Sequence, residues 1–95
     1  MEIKPKKSLG QNFLINAGIL GKIVSAAELT PDDTVLEIGP GTGNLTKLLS
    51  EKAGRVIALE KDPRLVEMLK TELLTFPGYS GNVEIIEGDI LKISN

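Results

Sequence analysis

The sequence has no cysteine, no histidine and no tryptophan, and aromatic residues make up only 3% of its 95 residues. Without cysteine there is no disulfide and no thiolate metal site. Without histidine the commonest general base and metal ligand is missing as well. We therefore expect no metal site.

Long apolar runs are absent too. No stretch approaches the ~20 apolar residues that a membrane-spanning helix needs. The charged start of the chain is not followed by the apolar segment of a signal peptide. A hydrophobic content of 41% and a charged content of 25% are ordinary for a globular chain of at most one domain. We expect a cytoplasmic protein with no membrane partner.

Charge is distributed unevenly along the chain. Residues 1–30 have four basic and two acidic residues, whereas residues 31–95 have seven basic and eleven acidic ones. A basic arm ahead of an acidic body suggests that the arm contacts phosphate. On charge alone, a solubilising tail explains the arm better.

The most informative stretch is Thr34–Thr46, in which an apolar strand runs into three alternating glycines and then a helix. Glycine tolerates positive φ and lets a ligand approach the backbone closely. The free N–H groups of the following helix would face the turn. A strand, a glycine turn and a helix in this order predict a nucleotide-type site, although the spacing is not the G-x-G-x-x-G of dinucleotide-binding proteins.

Hydrophobic periodicity predicts alternating helices and strands after an extended arm. The predicted segments are an arm at 1–15, helices at 16–27, 44–53 and 63–74, strands at 34–38, 55–60 and 82–87, and a tail from 90. This order predicts an α/β, Rossmann-like fold with three parallel strands and right-handed crossovers, whose domain occupies residues 16–95. Apolar residues on both faces of the strands predict a sheet that is covered on both sides.

Two carboxylates follow strands of this sheet. Glu60 ends the second strand, where an acid can accept hydrogen bonds from both hydroxyls of a ribose. Asp89 follows the third strand, where it can accept from an adenine amine or simply form an Asx-type turn. Because parallel strands end at one edge, both should lie beside the glycine turn. A nicotinamide cofactor would also fit the glycine turn and Glu60.

Several motifs resemble known proteins. The pattern Glu-x-Gly-x-Gly-x-Gly at 37–43 is similar to motif I of the S-adenosylmethionine-dependent methyltransferases. Together with Lys-Lys-Ser-Leu-Gly-Gln-Asn-Phe-Leu at 6–14, Ala-Leu-Glu-Lys-Asp at 58–62 and Glu-Gly-Asp-Ile-Leu at 87–91, it resembles the ribosomal RNA adenine dimethyltransferases over nearly the whole chain. The small-subunit branch of that family is the better match.

The resemblance implies a function and a set of cofactor-binding residues. The protein would transfer methyl groups from S-adenosylmethionine to the exocyclic amine of adenine in small-subunit ribosomal RNA. Glu37 would lie near the cofactor's amino group through water. The implied cofactor-binding residues are Asn12, Leu14, Gly39, Gly41, Gly43, Glu60 and Asp89.

The family's catalytic motif, Asn-Leu/Ile-Pro followed by an aromatic residue, does not occur in residues 1–95. The resemblance therefore predicts the N-terminal, cofactor-binding half of such an enzyme, without its second half and its helical RNA-binding domain. We expect the isolated chain to be inactive. Because one sheet face is bare and one strand edge is unpaired, we expect the chain to self-associate there, to be only marginally folded, or to have the rest of its domain beside it. Two alternatives remain open: a fragment that only binds S-adenosylmethionine, and a nicotinamide-binding half-domain.

Overall fold

A computed structural model describes residues 17–93 of the chain. The predicted arm, with Asn12 and Leu14, lies outside the described residues. Within them the elements are α1 (Ala17–Ala27), β1 (Thr34–Ile38), α2 (Asn44–Lys52), β2 (Arg55–Glu60), α3 (Pro63–Leu74), β3 (Val83–Glu87) and α4 (Ile90–Ile93). The strands and long helices match the prediction to within a residue at each end. The expected tail was wrong over residues 90–93, which form a short helix.

The three strands form one parallel sheet in the order β1-β2-β3. Val56 of β2 pairs with Val35 on one side and with Val83 on the other. Its side chain is fully buried and packs in a cluster with α1 and α2. Ala58, two residues further along the same face, packs against α3. All three long helices therefore cover one face of the sheet, as right-handed crossovers require.

The opposite face of the sheet is largely uncovered among the described residues. Leu36 is 57% exposed, Ile38 49% and Ile86 38%. The expectation of a sheet covered on both sides was therefore wrong for residues 17–93, and the expectation of one bare face is confirmed there. Within the same range, β1 has no strand partner on its outer edge. No helix in this part of the chain is long and apolar enough to cross a membrane.

Helix α3 begins as its sequence predicts. The side chain of Asp62 accepts a hydrogen bond from the backbone N–H of Arg64 at 2.9 Å, and Pro63 is the first helical residue. The buried face consists of Val66, Leu69 and Leu73. The helical spacing of Leu65, Val66, Met68, Leu69 and Leu73 predicts that Met68 also lies on this face, but it is 49% exposed. On the helix surface, position 68 lies outside the stripe that the buried residues at 66, 69 and 73 form.

The C-terminal end of α2 is fixed at the edge of the sheet opposite the glycine turn. The Asn82 side-chain amide donates to the carbonyls of Ser50 at 2.9 Å and Ala53 at 3.1 Å. Gly54 donates its N–H to Asp33 O at 3.0 Å, and a Cβ on Gly54 would collide with the carbonyl of Pro31. These contacts hold α2 in place, so its first turn is presented at the other end of β1.

Candidate cofactor site

A cleft of about 210 Å³ lies at the carboxyl ends of the three strands. It brings together Gly39, Glu60 and Asp89, three residues that the sequence assigned to one site. Gly41 and Gly43 belong to the same turn but do not line the cleft. A larger cavity of about 400 Å³ lies between α1 and α2, away from the strand ends and from these residues. The smaller cleft is the candidate site because it lies at the strand ends and is lined by the predicted residues, although its volume is lower.

All three glycines of the turn have positive φ: 67° at Gly39, 60° at Gly41 and 90° at Gly43. Other residues rarely adopt this conformation. Among the described residues, nothing lies within 4 Å of a Cβ placed on Gly39 or Gly41, so residues 17–93 leave open space beside their backbone. Gly43 differs, because a Cβ there would lie 2.5 Å from the Leu69 side chain. The first two glycines leave room for a ligand, and the third lets the turn pack closely against Leu69 of α3.

Backbone hydrogen bonds tie the loops after the three strands together. Gly39 donates its N–H to Leu59 O at 2.9 Å, and Gly88 donates to Glu60 O at the same distance. Each bond continues the parallel ladder by one step beyond the strands. The glycine turn and the loop that carries Asp89 are therefore both anchored to the end of β2.

The two carboxylates of the cleft are arranged alike. Glu60 is 5% exposed, and its Oε2 accepts a hydrogen bond from Asp62 N at 3.0 Å. Asp89 Oδ1 accepts from Leu91 N at 2.9 Å, which forms the Asx-type turn weighed in the sequence and starts α4. Within residues 17–93, no donor contacts Glu60 Oε1 or Asp89 Oδ2. Within this part of the chain, each carboxylate is thus held by one oxygen, and its other oxygen has no donor.

A third carboxylate, Glu37, lies beneath the turn. Its side chain is 9% exposed, and Thr46 Oγ1, which is fully buried, donates to its Oε1 at 2.5 Å. Burial raises the pKa of the Glu37 carboxyl, and the hydrogen bond from Thr46 opposes that rise. Because Thr46 is in the first turn of α2, a carboxylate already occupies the inner side of that helix N-terminus.

Comparison with known proteins agrees with the motifs. The family described as ribosomal RNA adenine dimethylase matches residues 2–95. The chain belongs to this family. A probable ribosomal RNA small subunit methyltransferase A from Thermococcus onnurineus is 54% identical over 92 residues, which cover 96% of this chain and 32% of that protein.

Solved structures of the dimethylase family and its neighbours share the fold. A dimethyladenosine transferase from Plasmodium falciparum aligns with a TM-score of 0.73 and 47% identity, over 81% of this chain and 27% of that one. The 23S rRNA methyltransferase ErmE aligns with a TM-score of 0.68 and 40% identity, over 79% of this chain and 29% of that one. The Rossmann-like methyltransferase fold is confirmed. The chain spans about a third or less of the length of these relatives.

Sequence reasoning missed some residues that shape the site. Thr46 was read only as part of a helix, although a threonine at the third helical position can reach back to the preceding strand. Lys61 and Ile90 line the cleft beside the predicted carboxylates. Their signal was present, since each directly follows a predicted site residue at a strand end.

Proposed function

We propose that this chain binds S-adenosylmethionine in the cleft at the carboxyl ends of the strands. The observation that best supports this proposal is that Gly39, Glu60 and Asp89, which are far apart in sequence, line the same cleft. The free oxygen of Glu60 would accept from the ribose hydroxyls, and that of Asp89 from the adenine amine. Asn12 and Leu14 of the arm would cover the bound cofactor, as the family resemblance implies.

The residues present fit this cofactor. A methionyl chain and a ribose need close access to the turn, and the open space beside Gly39 and Gly41 provides it. The cofactor carries its methyl group on a sulfonium sulfur, which activates it for transfer without a metal or a covalent nucleophile. The remaining task of a protein is to position the donor and the acceptor.

We further propose that the protein acts as a methyltransferase on adenine in small-subunit ribosomal RNA. The name of the Thermococcus onnurineus relative supports the small subunit, and its 54% identity exceeds the 40% of the 23S enzyme. The base-gripping and RNA-binding parts of the reaction would lie outside these 95 residues. Since ribosomal RNA would be the substrate, we propose the cytoplasm as the place of action.

A nicotinamide dinucleotide is the competing ligand, since it too would use an acid at Glu60. Its pyrophosphate would need the N-terminus of α2. That end already faces the Glu37 carboxylate through Thr46, and a second anion there would be repelled. The buried carboxylate therefore favours a ligand without phosphate at the turn.

Isothermal titration calorimetry with S-adenosylhomocysteine and with NAD tests the ligand class. We expect saturable binding of the first and none of the second. Glu60→Ala should weaken binding about tenfold or more, because a hydrogen bond to a charged group is worth ~1.5–3 kcal/mol.

Glu51→Ala is the matched control, since Glu51 is exposed on α2 and does not line the cleft. Equal affinities of the Glu60 and Glu51 variants would contradict the ribose assignment. Saturable NAD binding with no binding of S-adenosylhomocysteine would replace the proposed cofactor by a dinucleotide.

A further inference from the structure

Thr46 belongs neither to the glycine motif at 37–43 nor to the lining of the cleft, yet its side chain makes a specific contact. It is the third residue of α2, and its side chain is fully buried. Its hydroxyl donates to the Glu37 carboxylate rather than bonding to the helix backbone. A helix N-terminus is usually capped by a side chain that accepts from its free N–H groups. Here the cap position is Gly43, which has no side chain to offer.

The hydrogen bond between Thr46 and Glu37 links the two segments that flank the glycine turn. Glu37 precedes the turn by two residues in β1, and Thr46 follows it by three in α2. Their hydrogen bond of 2.5 Å therefore joins the two arms of the turn. Within the described residues no donor contacts the other carboxylate oxygen, Glu37 Oε2. As with Glu60 and Asp89, one oxygen is fixed and the other remains available.

Two other charged residues, Glu60 and Lys47, lie close to this pair on the sheet or in sequence. Glu60 lies on the same sheet face, two residues beyond Ala58, the register partner of Glu37. Lys47, which follows Thr46 on α2, is bound to Glu72 of α3 at 2.8 Å. Among residues 17–93, Glu37 thus has its strongest polar contact with a neutral hydroxyl, and no lysine or arginine of this range forms an ion pair with its carboxylate.

We propose that Thr46 is a positioning residue that keeps the Glu37 carboxylate ionised and in place under the glycine turn, so that the turn selects a ligand bearing an ammonium group over one bearing phosphate. This inference rests on the proposed function, because the ammonium group is that of the methionyl part of the cofactor. Thr46 itself need not touch the ligand. Without its hydroxyl, Glu37 would lose the one contact that opposes neutralisation by burial.

Two ligands separate this role from a structural one. S-adenosylhomocysteine carries the amino-acid part, whereas 5′-methylthioadenosine shares its adenine and ribose but has no ammonium group. We expect Thr46→Val to weaken the first about tenfold, the order expected for one hydrogen bond to a charged group, and to leave the second within about twofold. Thr46→Ser, which restores the hydroxyl, should recover the affinity for S-adenosylhomocysteine.

The same variants give a readout that needs no ligand. In a ¹³C NMR titration of the Glu37 side-chain carboxyl, Thr46→Val should move the midpoint to higher pH than in the parent chain, and Thr46→Ser should not. A thermal unfolding scan of each variant checks that it is folded.

The outcomes are distinct. Equal weakening of both ligands, or no weakening of either, would overturn the positioning role, and so would an unchanged Glu37 midpoint in Thr46→Val. A parent chain that binds neither ligand would contradict the proposed function instead. In that case the NMR midpoint alone decides whether Thr46 keeps Glu37 ionised.

Discussion

The glycines at 41 and 43 should respond differently to alanine, although both have positive φ. At Gly41 a Cβ would meet open space, so Gly41→Ala costs only the backbone strain of a left-handed residue, about 1–2 kcal/mol. At Gly43 the Cβ would lie 2.5 Å from the Leu69 side chain. Overpacking of this kind adds about 1–3 kcal/mol, so Gly43→Ala should lose about 2–5 kcal/mol in total.

Gly21→Ala is the matched control within α1. No atom lies within 4 Å of a Cβ at this position, and its φ is not in the left-handed region. Alanine is the better helix former by about 0.5–1 kcal/mol, so this variant should be stabilised. The free energy of unfolding of all three variants is measured by urea denaturation with circular dichroism. If Gly43→Ala lost no more stability than Gly41→Ala, the close contact of Gly43 with the Leu69 side chain of α3 would be refuted.

Three further predictions concern other parts of the molecule. Burial raises the pKa of Glu37 above the ordinary 4.5, so ionisation of this carboxyl destabilises the folded chain as the pH rises. The stability of Glu37→Gln relative to the parent should therefore increase as the pH is raised from about 4.5 through the folded pKa, and a difference that does not change with pH would contradict this. Gly54→Ala should destabilise the chain in urea denaturation at least as much as Gly43→Ala, because its Cβ meets a backbone carbonyl that cannot rotate away; a loss below about 1 kcal/mol would be inconsistent with that contact. Leu36→Lys on the bare sheet face should reduce the self-association of the chain, measured by sedimentation equilibrium. Leu74→Lys is the control, because Leu74 is exposed on α3 and not on this face, and it should leave self-association unchanged. A parent chain that is monomeric at about 50 µM would show that the face does not mediate association.

The sequence predicts the order and the bounds of the elements well because each has a local cause. Asp62 and Pro63 start α3 through a cap and a fixed φ, which depend only on neighbouring residues. The glycine turn is equally local, since positive φ at three alternating positions requires glycine at each of them. The meeting of Gly39, Glu60 and Asp89 follows from topology, because parallel strands end at one edge.

Other features depend on contacts that periodicity does not contain. The strands have apolar residues on both faces, as if both were covered, yet Leu36 and Ile38 are exposed because the three long helices all pack on the other face. Gly54 directly follows the predicted helix 44–53 and reads as the glycine that ends it, but its φ is outside the left-handed region and the carbonyl of Pro31 is what excludes a side chain. The Thr46–Glu37 bond joins residues nine positions apart across a turn, so only the folded turn reveals it.

The central claim is that the cofactor occupies the cleft at the carboxyl ends of the strands. The most direct measurement is a ¹⁵N-edited NMR titration of the chain with S-adenosylhomocysteine. We predict saturable shifts of the amide resonances of Gly39 and Gly88, which line the cleft. Gly41, in the same turn as Gly39, and Asp62, whose N–H donates to Glu60, should shift as well. Gly54, at the opposite edge of the sheet, should not shift. Shifts confined to that opposite edge, or no saturable shift around the glycine turn, would contradict the account.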